Sequence, residues 1–278
     1  MDISPPQTPA PALSLVIPAK DEALRLPRTL TEILTYDWSS LGLDCPEIWV
    51  INDGSTDHTA TLVKDWQQRH PHLGLISYPA NRGKGHALKT GILRARGEWI
   101  LILDADGATP IGEIKRLWQN LTPQTPIVIG SRVLTSPETT VKTVWHRKWI
   151  GWIFVRLVQW LAVQGIYDTQ CGFKLLAAPV AQDIAKHLTL DGFSVDVEML
   201  FIAQRRSYGI AEVSINWINQ PGSKVKILRD SWRMLQDMIG IRLKAQQGVY
   251  ERYLTSHSQP QESREYQESR EYKVKKTE

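Results

Sequence analysis

Two carboxylates, Asp104 and Asp106, follow a short and almost wholly apolar run at residues 99–103. A run of this kind between polar segments predicts a buried central strand, and open α/β sheets bind ligands at the carboxyl ends of such strands. Side chains alternate along an extended chain, so both carboxylates project to one side. Oxygen ligands suit a hard divalent cation, Mg²⁺ or Mn²⁺, although an isolated Asp-x-Asp pair is more typical of a solvated strand end.

Strand and helix patterns alternate through the first 130 residues, which predicts an α/β fold with a mostly parallel sheet flanked by helices. Because parallel strands end at one sheet edge, the polar clusters at residues 20–22, 52–57 and 104–106 converge on one cleft. Together with Lys84 and its neighbouring glycines, these clusters suit a nucleotide diphosphate held by a metal and backbone groups. Neither a Walker phosphate loop nor a dinucleotide fingerprint is present. Strands are predicted at residues 13–18, 47–51, 73–78, 99–103 and 127–129.

The net charge of the 278-residue chain is +4, with a pI near 9.0, which suits nucleic acid, a membrane surface or a phosphorylated substrate. A nucleic-acid-binding module is the least favoured class, because acids occupy the expected ligand edge. Two cysteines are too few for a disulfide framework and favour a reducing compartment. The N-terminus lacks the apolar region of a secretory signal, and no apolar run is long enough to span a membrane.

Nine short motifs occur in a specific order along the chain. They are VIPAKDE at 16–22, NDGSTD at 52–57, NRGKG at 81–85, DADGAT at 104–109, GSR at 130–132, DTQCGFK at 168–174, DVE at 196–198, NW at 216–217 and GSK at 222–224. Over about residues 13–250 the chain resembles family 2 glycosyltransferases with the Rossmann-like GT-A fold. Within that family it resembles most the polyisoprenyl-phosphate glycosyltransferases of the dolichyl-phosphate β-glucosyltransferase type.

This resemblance implies inverting transfer of a sugar, typically glucose from UDP-glucose, to a dolichyl or undecaprenyl phosphate, giving a lipid-linked monosaccharide and UDP. It implies that Lys84 approaches the diphosphate, and that Asp104 and Asp106, with Ala105 between them, approach the metal and the ribose. Asp106 is also a candidate catalytic residue. The residues that the resemblance places around the uridine are Pro18, Lys20, Glu22, Asn52 and Asp53. The chain departs from the family pattern at Lys20-Asp21, where Tyr-Asn is usual, and at Asn52, where Asp is usual.

The acceptor side requires a group that positions a phosphate nucleophile, since a phosphate monoester is already largely dianionic near neutral pH. Arg132 is the first candidate, because a guanidinium offers a planar fork of donors to phosphate oxygens. Arg147 is the second candidate, and a solvated basic residue without a phosphate contact is an equally favoured interpretation of it. Asp168 and Asp196 are candidates for a base, if one is used, or for helix caps and ion pairs. Glu198 is a further acid in a motif position, and a helix cap or an ion pair is a serious alternative to a catalytic role for it. Cys171 is predicted to be a small packed residue.

We predict a disordered arm at residues 1–11, a catalytic domain at 12–227, an amphipathic helix at 228–250 and a disordered charged tail at 251–278. Within the catalytic domain, residues 141–164 are basic and amphipathic. Tryptophans beside basic residues favour a bilayer headgroup layer, although an apolar helical stripe more commonly packs in a core. These features predict peripheral attachment to the cytoplasmic face of a membrane. The alternative function is a soluble family 2 enzyme with a different small or polysaccharide acceptor.

Overall fold

The computed structural model describes residues 11–142, 162–220 and 227–251. Its main feature is a seven-stranded sheet in the order β3-β2-β1-β4-β7-β5-β8, in which β7 runs antiparallel to β4 and β5 and all other pairs are parallel. A separate parallel pair joins β6 to β9. The strands are β1 Leu13–Ala19, β2 Glu47–Asp53, β3 Leu73–Tyr78, β4 Trp99–Ile102, β5 Ile127–Ser131, β6 Val141–Lys142, β7 Lys174–Ala177, β8 Ile210–Ser214 and β9 Trp217–Ile218.

Helices connect and flank these strands. In the described part of the chain they are α1 Leu26–Thr35, α2 Thr59–Gln67, α3 Lys84–Arg94, α4 Ile114–Gln119, α5 Ala178–His187, α6 Val195–Arg205 and α7 Ile227–Gln246. Alternation of strands and helices in β1 to β5 confirms the predicted α/β architecture. None of these described helices is both long and apolar enough to cross a membrane.

Close packing of α3 on the sheet positions the active-site edge. Gly91 on α3 lies against β1 and β2, and a Cβ atom there would approach Val16 Cγ1 to 2.3 Å. The absence of that atom lets the helix lie directly on the buried strands, whose central residues are fully buried. As a result, the first residue of α3, Lys84, reaches the carboxyl edge of the sheet.

The segment between β2 and α2 links two loops. Ser55 and Thr56 precede α2, which begins at Thr59. The Ser55 hydroxyl accepts a hydrogen bond from the Asp21 N–H at 2.8 Å. Asp57 provides the local bond, since its Oδ1 accepts from the Thr59 N–H at 2.9 Å. The hydroxyl at 55 therefore joins the loops after β1 and β2 rather than a helix end.

Contacts divide the chain after Arg242. The first unit contains both sheets, and on its part of α7 the side chains of Met234, Met238 and Ile241 are buried, whereas Trp232 and Ile239 are exposed. The second unit, from Leu243, contains the last turn of α7 and a turn that ends at Glu251.

Several predictions fall outside the described residues. These are the arm except Pro11, the tail from residue 252, the GSK motif at 222–224 and residues 143–161, which include Arg147. The predicted domain boundaries and the membrane role of the amphipathic segments stay predictions.

Candidate active site

The Asp104-Ala105-Asp106 segment lies directly after β4, beside the carboxyl end of β1. The Thr29 hydroxyl donates to the Ala105 carbonyl oxygen at 2.9 Å, and the Ala108 N–H donates to Asp106 Oδ1 at 3.0 Å. These bonds fix the loop backbone and one oxygen of Asp106. The Asp104 side chain is 44% exposed and that of Asp106 is 29% exposed. Both carboxylates are therefore accessible to a ligand from solvent.

Gly172 packs directly against the Asp104 carboxylate. A Cβ atom at this position would lie 2.0 Å from Asp104 Oδ2, which is far inside van der Waals contact. The close approach requires glycine. It also brings the DTQCGFK motif at 168–174 beside the carboxylates that follow β4.

Asp104 is the first of four charged side chains of alternating sign that form a chain. Lys84 Nζ lies 3.0 Å from Asp104 Oδ1 and 3.1 Å from Asp196 Oδ2. Asp196 Oδ1 in turn accepts from Lys174 Nζ at 2.6 Å, and Lys174 is fully buried and also donates to the Cys171 carbonyl oxygen. Each inner charge is thus flanked by two of opposite sign, which offsets the cost of burying it.

This arrangement shifts the pKa of both inner groups. Burial opposes the charged form of Lys84, but the charges of Asp104 and Asp196 outweigh it and raise the pKa of the ammonium. Burial likewise opposes ionisation of Asp196, but Lys174 and Lys84 outweigh it and hold the pKa of the carboxyl below its usual value. Lys84 is therefore a permanent cation at neutral pH, and Asp196 is a weak base.

Asp53 holds the loop that leads into Lys84. Its carboxylate accepts from the Arg82 N–H at 2.7 Å, the Gly83 N–H at 2.8 Å and the Asn81 side chain at 2.7 Å. Asn52, the preceding residue, donates to the Ser77 hydroxyl at 2.7 Å. Asn52 and Asp53, which were both predicted to bind the sugar-nucleotide donor, are buried at the carboxyl end of β2.

Glu198 supports the same loop from the other side. Its fully buried carboxylate accepts from the N–H groups of Thr189 and Leu190 at 2.9–3.1 Å. The next residue, Asp191, accepts from the Gly85 N–H through its carbonyl oxygen at 2.7 Å. A Cβ atom at Gly85 would lie 2.0 Å from the Leu190 carbonyl oxygen, so glycine is needed beside Lys84. Glu198 is thus a structural anchor for the lysine loop.

The loop after β1 contributes a third group of donor candidates. Pro18 is half-buried on β1, and Lys20 Nζ donates to the Gly54 carbonyl oxygen at 3.0 Å. Glu22 is buried and binds Arg25 through two bonds, one from Arg25 Nε at 2.7 Å and one from Nη2. Arg25 Nη1 lies 4.0 Å from Asp106 Oδ2. Arg25 therefore lies between the Glu22 and Asp106 carboxylates.

Arg132, directly after β5, forms a two-pronged ion pair with Asp168. Arg132 Nε and Nη2 donate to the two oxygens of Asp168 at 2.8 and 2.7 Å. The guanidinium also lies over the Trp217 ring, 5.5 Å from its centroid. Glu212 on β8 holds the segment by accepting from the N–H groups of Tyr167 and Asp168 at 2.9 and 2.8 Å. Arg132 remains about one third exposed.

The pKa shifts here favour ionisation of both partners. Burial opposes the charge of Asp168, but Arg132 outweighs it and lowers the pKa of the carboxyl.

Burial, followed by the Asp168 charge, raises the pKa of the Cys171 thiol to about 12. Cys171 is also buried, which confirms the prediction of a packed residue rather than a nucleophile.

Asp104 and Asp106 fit a divalent cation. Burial, followed by the charge of Asp104, raises the pKa of Asp106, so the two carboxylates repel each other at close range. No third carboxylate, histidine or cysteine of the described residues completes a protein-only metal cluster with them. Mg²⁺ sites that take further ligands from substrate phosphates typically have one or two protein carboxylates and leave the other coordination positions of the cation open.

Comparisons with known proteins agree with this geometry. A model of the family "Glycosyl transferase family 2" matches residues 14–176. The chain belongs to glycosyltransferase family 2. The dolichyl-phosphate β-glucosyltransferase of Mus musculus is 35% identical to this glycosyltransferase over 254 residues, covering 87% of this chain and 78% of the relative. The proteins of that name from Dictyostelium discoideum and Saccharomyces cerevisiae are 36% and 31% identical, and each alignment covers 86% of this chain and 76% of the relative.

Solved structures show the same fold at lower identity. Glucosyl-3-phosphoglycerate synthase from Mycobacterium tuberculosis, in complex with Mn²⁺, UDP-glucose and phosphoglyceric acid, superposes with a TM-score of 0.57 at 18% identity, covering 84% of this chain and 79% of the other. Mannosyl-3-phosphoglycerate synthase from Rubrobacter xylanophilus gives 0.58 at 19% identity, covering 86% and 76%. The comparisons confirm the predicted family resemblance, the GT-A fold and the assignment of this glycosyltransferase as a hexosyltransferase.

Sequence reasoning missed four residues of this glycosyltransferase's cleft. Arg25 has a local signal, since it lies three residues after Glu22 at the start of a helix, where ion pairs form. Lys174 is part of the DTQCGFK motif, but no local pattern shows that it is buried beside Asp196. Glu212 and the cation–π contact of Trp217 had no signal in the sequence, because their partners are 44 and 85 positions away and approach only in the folded sheet.

Proposed function

We propose that this glycosyltransferase moves glucose from UDP-glucose onto a polyisoprenyl phosphate, dolichyl or undecaprenyl, with inversion at the sugar carbon and release of UDP. The observation that carries the proposal is the presence of two kinds of charged group at this edge of the sheet. They are a pair of accessible carboxylates with Lys84, and the partly exposed guanidinium of Arg132. The names of the dolichyl-phosphate β-glucosyltransferases to which the chain is similar support the same donor sugar and acceptor class.

On the donor side, Asp104 and Asp106 would hold Mg²⁺ or Mn²⁺, and Lys84 would meet the diphosphate. When bound, the cation offsets negative charge on the departing UDP. The solved structure of glucosyl-3-phosphoglycerate synthase with Mn²⁺ and UDP-glucose supports this assignment. Residues at the ends of β1 and β2 would surround the uridine. These are Pro18, Lys20, Glu22, Asn52 and Asp53. Ala105, which lies between Asp104 and Asp106 after β4, would contact the donor beside the ribose.

On the acceptor side, Arg132 would position the phosphate. Two of its guanidinium nitrogens are committed to Asp168, whereas Nη1 has no hydrogen-bond partner among the described residues. A phosphate oxygen supplies the missing acceptor. A phosphate dianion is already a nucleophile, and Asp168 and Asp196, with lowered pKa values, are weak bases. Asp168 therefore orients Arg132, and Arg147 is proposed as a second phosphate contact.

Attachment to the cytoplasmic face of a membrane is part of the proposal. Trp232 and Ile239 are exposed on α7, and the exposed Arg233 follows Trp232 in sequence. An exposed tryptophan near basic residues is typical of helices that lie in the headgroup layer. Flotation with anionic liposomes should carry the protein to the top of a density gradient. Trp232→Ser should reduce the floated fraction, and a wild-type protein that stays at the bottom would contradict the attachment.

The deciding experiment combines donor and acceptor. The protein is incubated with Mg²⁺, a short polyprenyl phosphate and one of several radiolabelled nucleotide sugars, and the product is extracted into organic solvent. We expect label in the organic phase with UDP-glucose and none without cation. A parallel reaction with 3-phosphoglycerate tests the soluble alternative, because the structural neighbour glucosyl-3-phosphoglycerate synthase was solved with phosphoglyceric acid. Label that stays in the aqueous phase as a glucosylated acid would replace the lipid acceptor with a soluble one.

A further inference from the structure

Each carboxylate of the candidate metal site faces a protein cation. Lys84 Nζ is 3.0 Å from Asp104 Oδ1, and Arg25 Nη1 is 4.0 Å from Asp106 Oδ2. Arg25 was assigned no role by the sequence. Its side chain is 20% exposed, and its guanidinium lies near the Asp106 carboxylate.

Arg25 is held in this position from behind. Its Nε and Nη2 bind the two oxygens of the buried Glu22, and the Glu22 backbone N–H donates to the Thr59 hydroxyl at 2.8 Å. The bidentate pair uses the nitrogens on one edge of the guanidinium, and Nη1 lies 4.0 Å from Asp106 Oδ2. Asp106 Oδ1 is already bound by the Ala108 N–H. Oδ2, the oxygen that a metal would take, is therefore the one that Arg25 approaches.

A divalent cation at Asp106 Oδ2 would be repelled by Arg25. The repulsion is relieved when a nucleoside diphosphate enters, because its phosphate oxygens offer the guanidinium a new partner. We propose that Arg25 couples the two ligands, disfavouring a cation alone at Asp106 and turning to the donor diphosphate when both are present. This inference rests on the proposed function, since it uses the same donor and cation.

The test measures cation binding directly. Mn²⁺ affinity is determined from the loss of the free-ion electron paramagnetic resonance signal, with and without UDP, for wild type and for Arg25→Met. In the wild type we expect weak binding of Mn²⁺ alone and a large tightening by UDP. In Arg25→Met, removal of a unit charge about 4 Å from Oδ2 should tighten binding of Mn²⁺ alone by about fivefold. The tightening by UDP should shrink by about the same factor.

Arg28→Met is the matched control. Arg28 lies in the first turn of α1, three residues after Arg25, and has the same charge, but it is exposed and makes no ion pair with the site carboxylates. Arg28→Met changes the net charge by the same amount as Arg25→Met, so it measures the effect of net charge alone. We expect it to resemble the wild type in both measurements. Arg25→Gln, whose amide can still donate to Glu22, repeats the test if the methionine variant does not fold, as judged by circular dichroism.

The outcomes separate the inference from the function on which it rests. If the wild type binds neither UDP nor Mn²⁺, the proposed function is wrong. If the wild type binds both, but the Arg25 variants keep the full tightening by UDP, Arg25 does not couple them. Weaker binding of Mn²⁺ alone in the Arg25 variants would also overturn the inference, because Arg25 would then support the cation. By reciprocity, the factor by which Mn²⁺ tightens UDP must shrink equally.

Discussion

The two sides of the cleft balance their charges in different ways. On the donor side, the accessible carboxylates of Asp104 and Asp106 lie near Lys84 and Arg25, but Lys84 is shared with Asp196 and Arg25 with the buried Glu22. On the acceptor side, Arg132 and Asp168 match one to one, with both carboxylate oxygens engaged. Accessible carboxylates whose cations are shared attract a further cation, whereas a matched pair with one guanidinium nitrogen open suits a single anion. The difference fits the two proposed roles, binding of a metal on one side and orientation of a phosphate on the other.

The supports of the two sides also differ. The donor side depends on close backbone approach, at Gly85 against Leu190 and at Gly172 against Asp104. The acceptor side depends on side-chain partners, because Glu212 holds the backbone of Asp168. Substitutions that add a single atom should therefore damage the donor side most, and substitutions that remove a charge should separate the two sides.

The largest expected effect is that of Asp106→Asn. Without one of its two carboxylates the site should lose cation-dependent transfer, and kcat/KM should fall by about 10³-fold, equivalent to the several kcal/mol that a metal contributes to charge stabilisation. Steady-state kinetics with Mg²⁺ measure this loss, and thermal unfolding should show an intact fold. Asp65→Asn, at an exposed position on α2, is the matched control and should leave the rate unchanged. Unchanged turnover in Asp106→Asn would refute the metal assignment.

The next effect should come from Gly172→Ala, which tests the steric contact. The added Cβ would lie 2.0 Å from Asp104 Oδ2, so the carboxylate must move. A displacement of about 1 Å from a productive position costs about 10²-fold in rate. We expect weaker Mn²⁺ binding and a loss of kcat/KM of that size, measured by titration and kinetics. Gly240→Ala on α7, where the new Cβ meets nothing within 4 Å, should be harmless. Wild-type Mn²⁺ affinity in Gly172→Ala would show that Asp104 does not need its present position.

The donor side was the more predictable of the two from sequence. Asp104, Asp106 and Asn52 follow apolar runs, and a parallel sheet brings the ends of its strands together whatever the loops contain. Such runs predict strands well because burial on both faces requires apolar residues in sequence. The positions of β1 to β5 were confirmed within two residues for the same reason.

The supports of the site could not be read from sequence, because they depend on contacts between distant segments. Lys84 binds Asp196, 112 residues away. The antiparallel strand β7 begins at a fully buried lysine, Lys174, whose residue type argues against a buried strand. Its charge is tolerated because Asp196 lies 2.6 Å away and the Cys171 carbonyl oxygen also accepts from it. Local pattern rules miss such strands when a buried ion pair replaces an apolar residue.

A smaller and more selective effect is expected for Arg132→Ala. Loss of a charge-assisted bond to the acceptor phosphate should raise the KM for polyprenyl phosphate by about tenfold, since such bonds contribute about 1.5–3 kcal/mol. The KM for UDP-glucose should change by less than about twofold. Arg132→Lys keeps the charge and loses the fork, so it should recover only part of the acceptor affinity. An increase confined to the UDP-glucose KM would place the phosphate contact elsewhere.

The smallest effect concerns stability and its dependence on pH. Asp168→Asn leaves Arg132 without its carboxylate, and the free energy of unfolding near pH 7 should fall by about 2 kcal/mol, below the range for a fully buried pair because Arg132 is about one third exposed. Arg132 lowers the pKa of Asp168 in the folded state, so the contribution of the pair is complete above the unfolded pKa of about 3.9 and is lost as the pH falls through the folded value. Urea unfolding at several pH values should therefore show wild type and Asp168→Asn converging as the pH falls below about 4. Asp196 is present in both proteins, so its own titration cancels in the difference. A gap that stays constant down to pH 2 would mean that the carboxylate of Asp168 acts through packing and not through its charge.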